Sequence, residues 1–231
     1  PGWGEIVIAS LNSNVYVAWN TDVNGRFDVS LAVSHDGGAT FKVQNISAGR
    51  PSSAREPIFA LEQKSGRLSL IWREDVPVQG VYLQSLDNGA TWSSPVAVDT
   101  PARQYMVVDD GKYIYLSYLK KFVVDGLPDY QIYLAVSSDG GRTFDKRQNL
   151  SGPTGISGFN NDEDRPMPWI SSTTGAFRLT GVEADGVHFW DGKDGHILHP
   201  GYLGPGKMAS PAFNAAVWQA PDGVVMYGVC Q

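Results

Sequence analysis

Along this chain, apolar and polar residues alternate with a period of two, in short bursts separated by turn-forming pairs. Residues 14–20 (NVYVAWN), 67–73 (RLSLIWR) and 112–118 (KYIYLSY) show the pattern best, and residues 176–182 and 223–229 repeat it. β-branched and aromatic side chains dominate these runs, as a pleated, half-buried surface favours. Each run follows a turn pair: Asn12-Ser13, Ser65-Gly66, Asp110-Gly111, Thr174-Gly175 and Asp222-Gly223. No segment carries a helical period. The pattern predicts an all-β protein of short strands and tight turns.

Between the runs an octapeptide recurs. Residues 34–41 (SHDGGATF), 85–92 (SLDNGATW) and 137–144 (SSDGGRTF) share the form Ser-x-Asp-x-Gly-x-Thr-aromatic, with their aspartates 51 and 52 residues apart. Three copies at one interval mark a repeat architecture. The physics is local. Asp36, Asp87 and Asp139 are expected to accept backbone N–H bonds from a residue or two ahead and so pin a turn. Gly38, Gly89 and Gly141 supply positive φ for a bulged hairpin. Ser34, Ser85 and Ser137 open the motif, Thr40, Thr91 and Thr143 re-enter the strand, and the aromatic packs beneath. The motif closes a hairpin and has no need of a ligand.

Parsed on this repeat, the chain holds four-stranded antiparallel blades at about residues 5–50, 55–100, 104–150 and 166–207. A fifth, begun at Phe213, has two strands. The fourth carries a degraded turn at Asp191-Gly192-Lys193-Asp194-Gly195. The expectation is one β-propeller domain over 1–231, four blades and half of a fifth, drawn from a ring of five or six. An unfinished blade leaves an open edge, so either the sequence is a piece of a larger propeller or a strand-completing partner or oligomer covers that edge.

Composition narrows the partners. A net charge of −6 argues against general affinity for nucleic acid or anionic membrane. No apolar run reaches the length of a membrane span. A single cysteine, Cys230, allows neither an internal disulfide nor a zinc cluster, and the four histidines are scattered. No metal site is expected, although Asp162, Glu163 and Asp164 carry oxygen ligands that Ca²⁺ would accept; a solvated loop is the simpler reading. Asn45-Ile46-Ser47 and Asn149-Leu150-Ser151 are sequons at equivalent repeat positions, which repeat inheritance explains. Trp3, Trp169, Trp190 and Trp218 are expected between blades.

The octapeptides resemble the Asp-box turns of the sialidase-like family, also called bacterial neuraminidase repeats. That resemblance implies a propeller with the boxes on the outer rim. Ligands would then meet the loops at the other end: 47–56, 99–104, 151–165 and 198–212, with 20–27, 73–79 and 120–130. It also implies a carbohydrate or other anionic small ligand, and a place outside the cytoplasm, whether secreted, periplasmic or at the cell surface. Arg55, Arg103 and Arg165 stand at equivalent positions just before an innermost strand. Sialidases hold a sugar carboxylate with three arginines, and Arg55-Glu56-Pro57 is similar to the family's Arg-x-Pro motif. On that comparison Arg73 is an accessory arginine and Asp75 (or Glu74) the general acid of an exo-sialidase-like glycoside hydrolase. Against this stands simple pairing of each arginine with a nearby carboxylate such as Glu56, Asp99 or Asp164. The downstream nucleophilic tyrosine and its glutamate also have no match here, since Tyr105, Tyr202 and Tyr227 lie in other contexts. The alternative function is a non-catalytic recognition or scaffold propeller.

Overall fold

The computed structural model describes residues 6–124, 127–151, 168–173, 175–212 and 215–229. Strands and turns make up all of these; among the described residues there is no helix. The chain divides into two compact units, Pro1–Arg103 and Gln104–Gln231.

The first unit holds two four-stranded antiparallel sheets. One is β1 (Ile6–Leu11), β2 (Asn14–Val23), β3 (Arg26–Ser34) and β4 (Lys42–Asn45); the other is β5 (Ala54–Leu61), β6 (Leu68–Asp75), β7 (Val78–Ser85) and β8 (Val96–Ala97). Both are simple meanders, each strand bonded to the next. The middle strands are covered on both faces, so β3 and β6 are buried along most of their length, polar positions included, while β4 (KVQN) stays mostly exposed. Tyr16, Leu31, Leu68, Leu70, Trp72 and Val81, all fully buried, form the shared core of the two sheets.

The second unit takes up β9 (Ala102–Asp109) from its third residue and continues with β10 (Ile114–Val124), β11 (Leu127–Ser137) and β12 (Lys146–Asn149), then β13 (Trp169–Thr173), β14 (Ala176–Glu183), β15 (Gly186–Lys193) and β16 (His196–Gly204). Tyr115, Ile132, Phe177, Leu179 and Trp190 join these two sheets. A fifth sheet contains three strands, β17 (Lys207–Ala212), β18 (Ala215–Gln219) and β19 (Val225–Val229), and Trp218 packs it onto Val182 and Val187. It has one strand more than the sequence pattern predicts. The extra strand, KMASPA, has a proline and no β-branched residue, so it lacks the signal.

The octapeptides differ in detail from expectation. Asp36 Oδ1 accepts the N–H of Thr40 at 2.8 Å, four residues ahead, and its Oδ2 takes the Thr40 hydroxyl at 2.6 Å. Asp87 and Asp139 repeat both bonds with Thr91 and Thr143. The nearer amides go to serine instead: Ser34 Oγ accepts from Gly38 N at 2.9 Å while donating to Asp36. Two successive residues have positive φ, not one: Gly37 and Gly38, Asn88 and Gly89, Gly140 and Gly141. Asparagine tolerates that region better than other side chains, so the middle copy reads DNG. The closing aromatics are unequal, with Phe144 buried, Trp92 half-buried and Phe41 exposed. In the fourth sheet Asp191 lies within β15 bound to Arg178, and the turn is the two-residue pair Asp194-Gly195, both at positive φ.

Candidate functional site

Strand pairing sets the site. Arg55 sits inside β5, not before it, and faces Arg73 of β6 in register. Immediately after it the ladder is interrupted, between Arg55 and Ile58, and Glu56 takes a φ of 58°. Such an irregularity re-aims side chains at a strand end. The same backbone occurs at Arg103-Gln104 in β9, where Gln104 has a φ of 54°.

Asp75, the last residue of β6, takes bonds on both oxygens: Arg55 Nε donates to Oδ2 at 2.9 Å and Arg73 Nη1 to Oδ1 at 2.5 Å. Glu56 lies 3.1 Å from Arg73 Nη2. Burial works against the charge on Arg73, but Glu56 and Asp75 outweigh it and hold its pKa above the usual guanidinium value. The pairing therefore differs from the sequence expectation, in which Glu56 would neutralise Arg55. The Arg55 guanidinium also lies over the Phe27 ring, its carbon 3.7 Å from the centroid.

Serines hold the loop in place. Ser52, buried, accepts the N–H of Asp75 at 3.1 Å and of Val76 at 2.8 Å; Ser53 Oγ accepts that of Phe27 at 3.2 Å. Glu74 points to the other face of β6, fully buried. There Arg50 donates to it from Nε at 2.5 Å and Nη2 at 3.0 Å, and Gln79 donates at 3.0 Å. Burial pushes the Glu74 carboxyl up, and these three donors bring it below its usual range. Glu74 is thus a structural acid tied to Arg50, which leaves Asp75 as the candidate for chemistry.

Sequence reasoning named Arg55, Arg73 and Asp75, which the structure brings together. It missed Phe27 and Ser52, whose roles depend on neighbouring hairpins. Arg165 and the Asp162, Glu163, Asp164 loop lie outside the described residues. The segments 20–27, 73–79 and 120–130, expected as loops, are mostly strand: β10 and β11 stay paired out to Val124 and Leu127. The sequon amides are engaged, Asn45 Nδ2 with Asp28 at 2.8 Å and Asn149 Nδ2 with Gln131 at 2.9 Å.

Sheets of consecutive antiparallel strands, one after another along the chain, define the blades of a β-propeller. Solved structures share this fold. A Penicillium chrysogenum α-L-arabinanase complexed with arabinobiose is 13% identical, with a TM-score of 0.57 over 99% of this chain and 76% of its own. The catalytic domain of a Coprinopsis cinerea GH62 α-L-arabinofuranosidase is 10% identical, with a TM-score of 0.52 over 94% and 83%. A Hadza microbial sialidase is 13% identical over 98% of this chain; the chain spans 65% of that protein, and its TM-score of 0.43 adds no weight. No family model matches, and no curated protein matches. At such identities the likeness is one of fold.

Proposed function

We infer that this chain is a carbohydrate-directed propeller of the sialidase-like Asp-box kind, in which Arg55 and Arg73 receive the acidic group of a sugar. The observation that carries the reading is the meeting of two guanidiniums on one carboxylate at Asp75. A sugar carboxylate presents the same pair of oxygens, and guanidinium forks bind it bidentately. Two arginines face two carboxylates, so an incoming acid must take over bonds now made to Asp75 or Glu56. Arg103 and Arg165 are proposed as further donors, from their repeat positions. The glycoside hydrolases that share the fold support a glycan as ligand.

Recognition without turnover is favoured over hydrolysis by one feature. Both Asp75 oxygens accept from arginines, the arrangement of a structural ion pair that positions the two guanidiniums. Titration with N-acetylneuraminate and with neutral arabinobiose, together with a fluorogenic sialoside assay, tests both halves. Binding of the acid alone, lost in Arg55→Ala with the melting temperature retained, is expected, with no turnover. Equal binding of the neutral sugar would remove the arginine role. Turnover that disappears in Asp75→Asn would establish the hydrolase.

A further inference from the structure

In the second unit, β14 ends at Glu183 and β15 returns from Gly186. Glu183 pairs directly with Gly186, and His188 lies two residues further on, so Glu183 and His188 share one face of the hairpin on a diagonal. Gly186 has no side chain to stand between them. Asp185 occupies the turn, and its Oδ1 accepts from His188 Nε2 at 2.7 Å. The same nitrogen is 3.9 Å from Glu183 Oε2. One ligand atom from each of the three lies within 4.8 Å of the others.

The geometry points to a binding site for a borderline divalent cation of the Zn²⁺ class, held by Glu183, Asp185 and His188. Three features argue for a built site. First, the turn and ring are held from outside. Tyr202 donates to the Asp185 carbonyl at 2.8 Å, and the His188 ring packs near those of Tyr202 and Trp190, with centroids 5.1 and 6.1 Å away. A ligand fixed by a surrounding shell binds metal without having to be ordered first. Second, Glu183 is placed by the hairpin: its side chain is only 18% exposed and lies diagonally across from His188 on the same face. Third, the spacings suit. Ligands about 2.1 Å from a tetrahedral ion lie about 3.4 Å apart. His188–Asp185 would open and His188–Glu183 would close, each by well under an ångström, and Glu183–Asp185, within 4.8 Å, would close by about 1.4 Å at most.

The donor set selects the ion. Two carboxylates and an imidazole favour zinc over Ca²⁺, which prefers six to eight oxygens. Two carboxylates and a neutral ring also balance a double positive charge. The ring proton now shared with Asp185 moves to Nδ1 as Nε2 takes the ion, and solvent fills the fourth position.

Calorimetric titration of the full chain with ZnCl₂, repeated in excess CaCl₂, tests this. One equivalent should bind and resist calcium. His188→Gln and Asp185→Asn should each weaken binding tenfold or more, while His199→Gln, on exposed β16, should leave it unchanged. Glu183→Gln, close in shape, gives a third ligand variant should Asp185→Asn disturb the turn, and circular dichroism confirms that each folds. No zinc binding by the wild type, equal binding by His188→Gln, or displacement by calcium would overturn the site.

Discussion

The guanidinium carbon of Arg55, on β5, lies 3.7 Å from the centre of the Phe27 ring, on β3. One hairpin thus supplies a platform and the next supplies the charge. The stack fixes the plane of the guanidinium while its Nε donates to Asp75.

Arg55→Lys is therefore not conservative. The ammonium keeps the charge but loses both the planar stack and the fork. Affinity for an acidic saccharide should fall about tenfold, for a loss of about 1–2 kcal/mol. Phe27→Leu should show part of the same loss. Titration calorimetry reads both, and wild-type affinity in Arg55→Lys would mean the stack plays no part in binding.

Arg50 and Glu74 offer a test of stability. Glu74 is fully buried and takes two of its three bonds from one guanidinium, the third from Gln79. Arg50→Ala strands a buried carboxylate and should destabilise by about 3–5 kcal/mol. Replacing both residues with apolar ones of similar volume should cost far less. Urea unfolding of the single and double variants separates these outcomes, and equal losses would show that the pair is not coupled.

The octapeptide turns predict a pH dependence. Thr and Ser donors hold Asp36, Asp87 and Asp139 at about 2, against about 3.9 in an unfolded chain. Folded values below unfolded ones mean that the stabilisation is complete above about pH 4 and drains away as pH falls toward about 2. A triple variant with Asn at the three positions should melt below the wild type at pH 6, and the gap should narrow steadily below about pH 4. A gap constant across that window would show that ionisation is irrelevant to the turns.

Gly192 and Gly25 contrast space with backbone strain. A Cβ at Gly192 would meet the Phe177 ring at 2.0 Å and the His196 carbonyl at 2.6 Å, whereas one at Gly25 would meet nothing within 4 Å. Gly25 has a φ of +81°, so Gly25→Ala should cost about 1–2 kcal/mol from conformation alone. Gly192→Ala must displace a core aromatic and should cost more, about 3 kcal/mol. Thermal melts rank the two, and the reverse order would sink the steric argument.

The strands β2, β6, β10 and β14, and the turns at Asp36, Asp87 and Asp139, were legible in the sequence because each rests on local forces, side-chain alternation and a carboxylate pinning its own turn, although the carboxylate's partner proved to be the threonine four residues away. Repetition at a fixed interval then specified stacked four-stranded sheets. Strand β17 carries no such signal: its residues, KMASPA, have no strand preference of their own and take strand form paired with β18. At the candidate site the sequence supplied Arg55, Arg73 and Asp75 as residue types, but their pairing followed from the β5–β6 register and the irregularity at Glu56. Phe27 under Arg55, and Glu183 beside His188, depend on which side chains share a face or meet across hairpins. Those relations join residues distant in sequence or aimed by a single turn, so only the folded chain decided them.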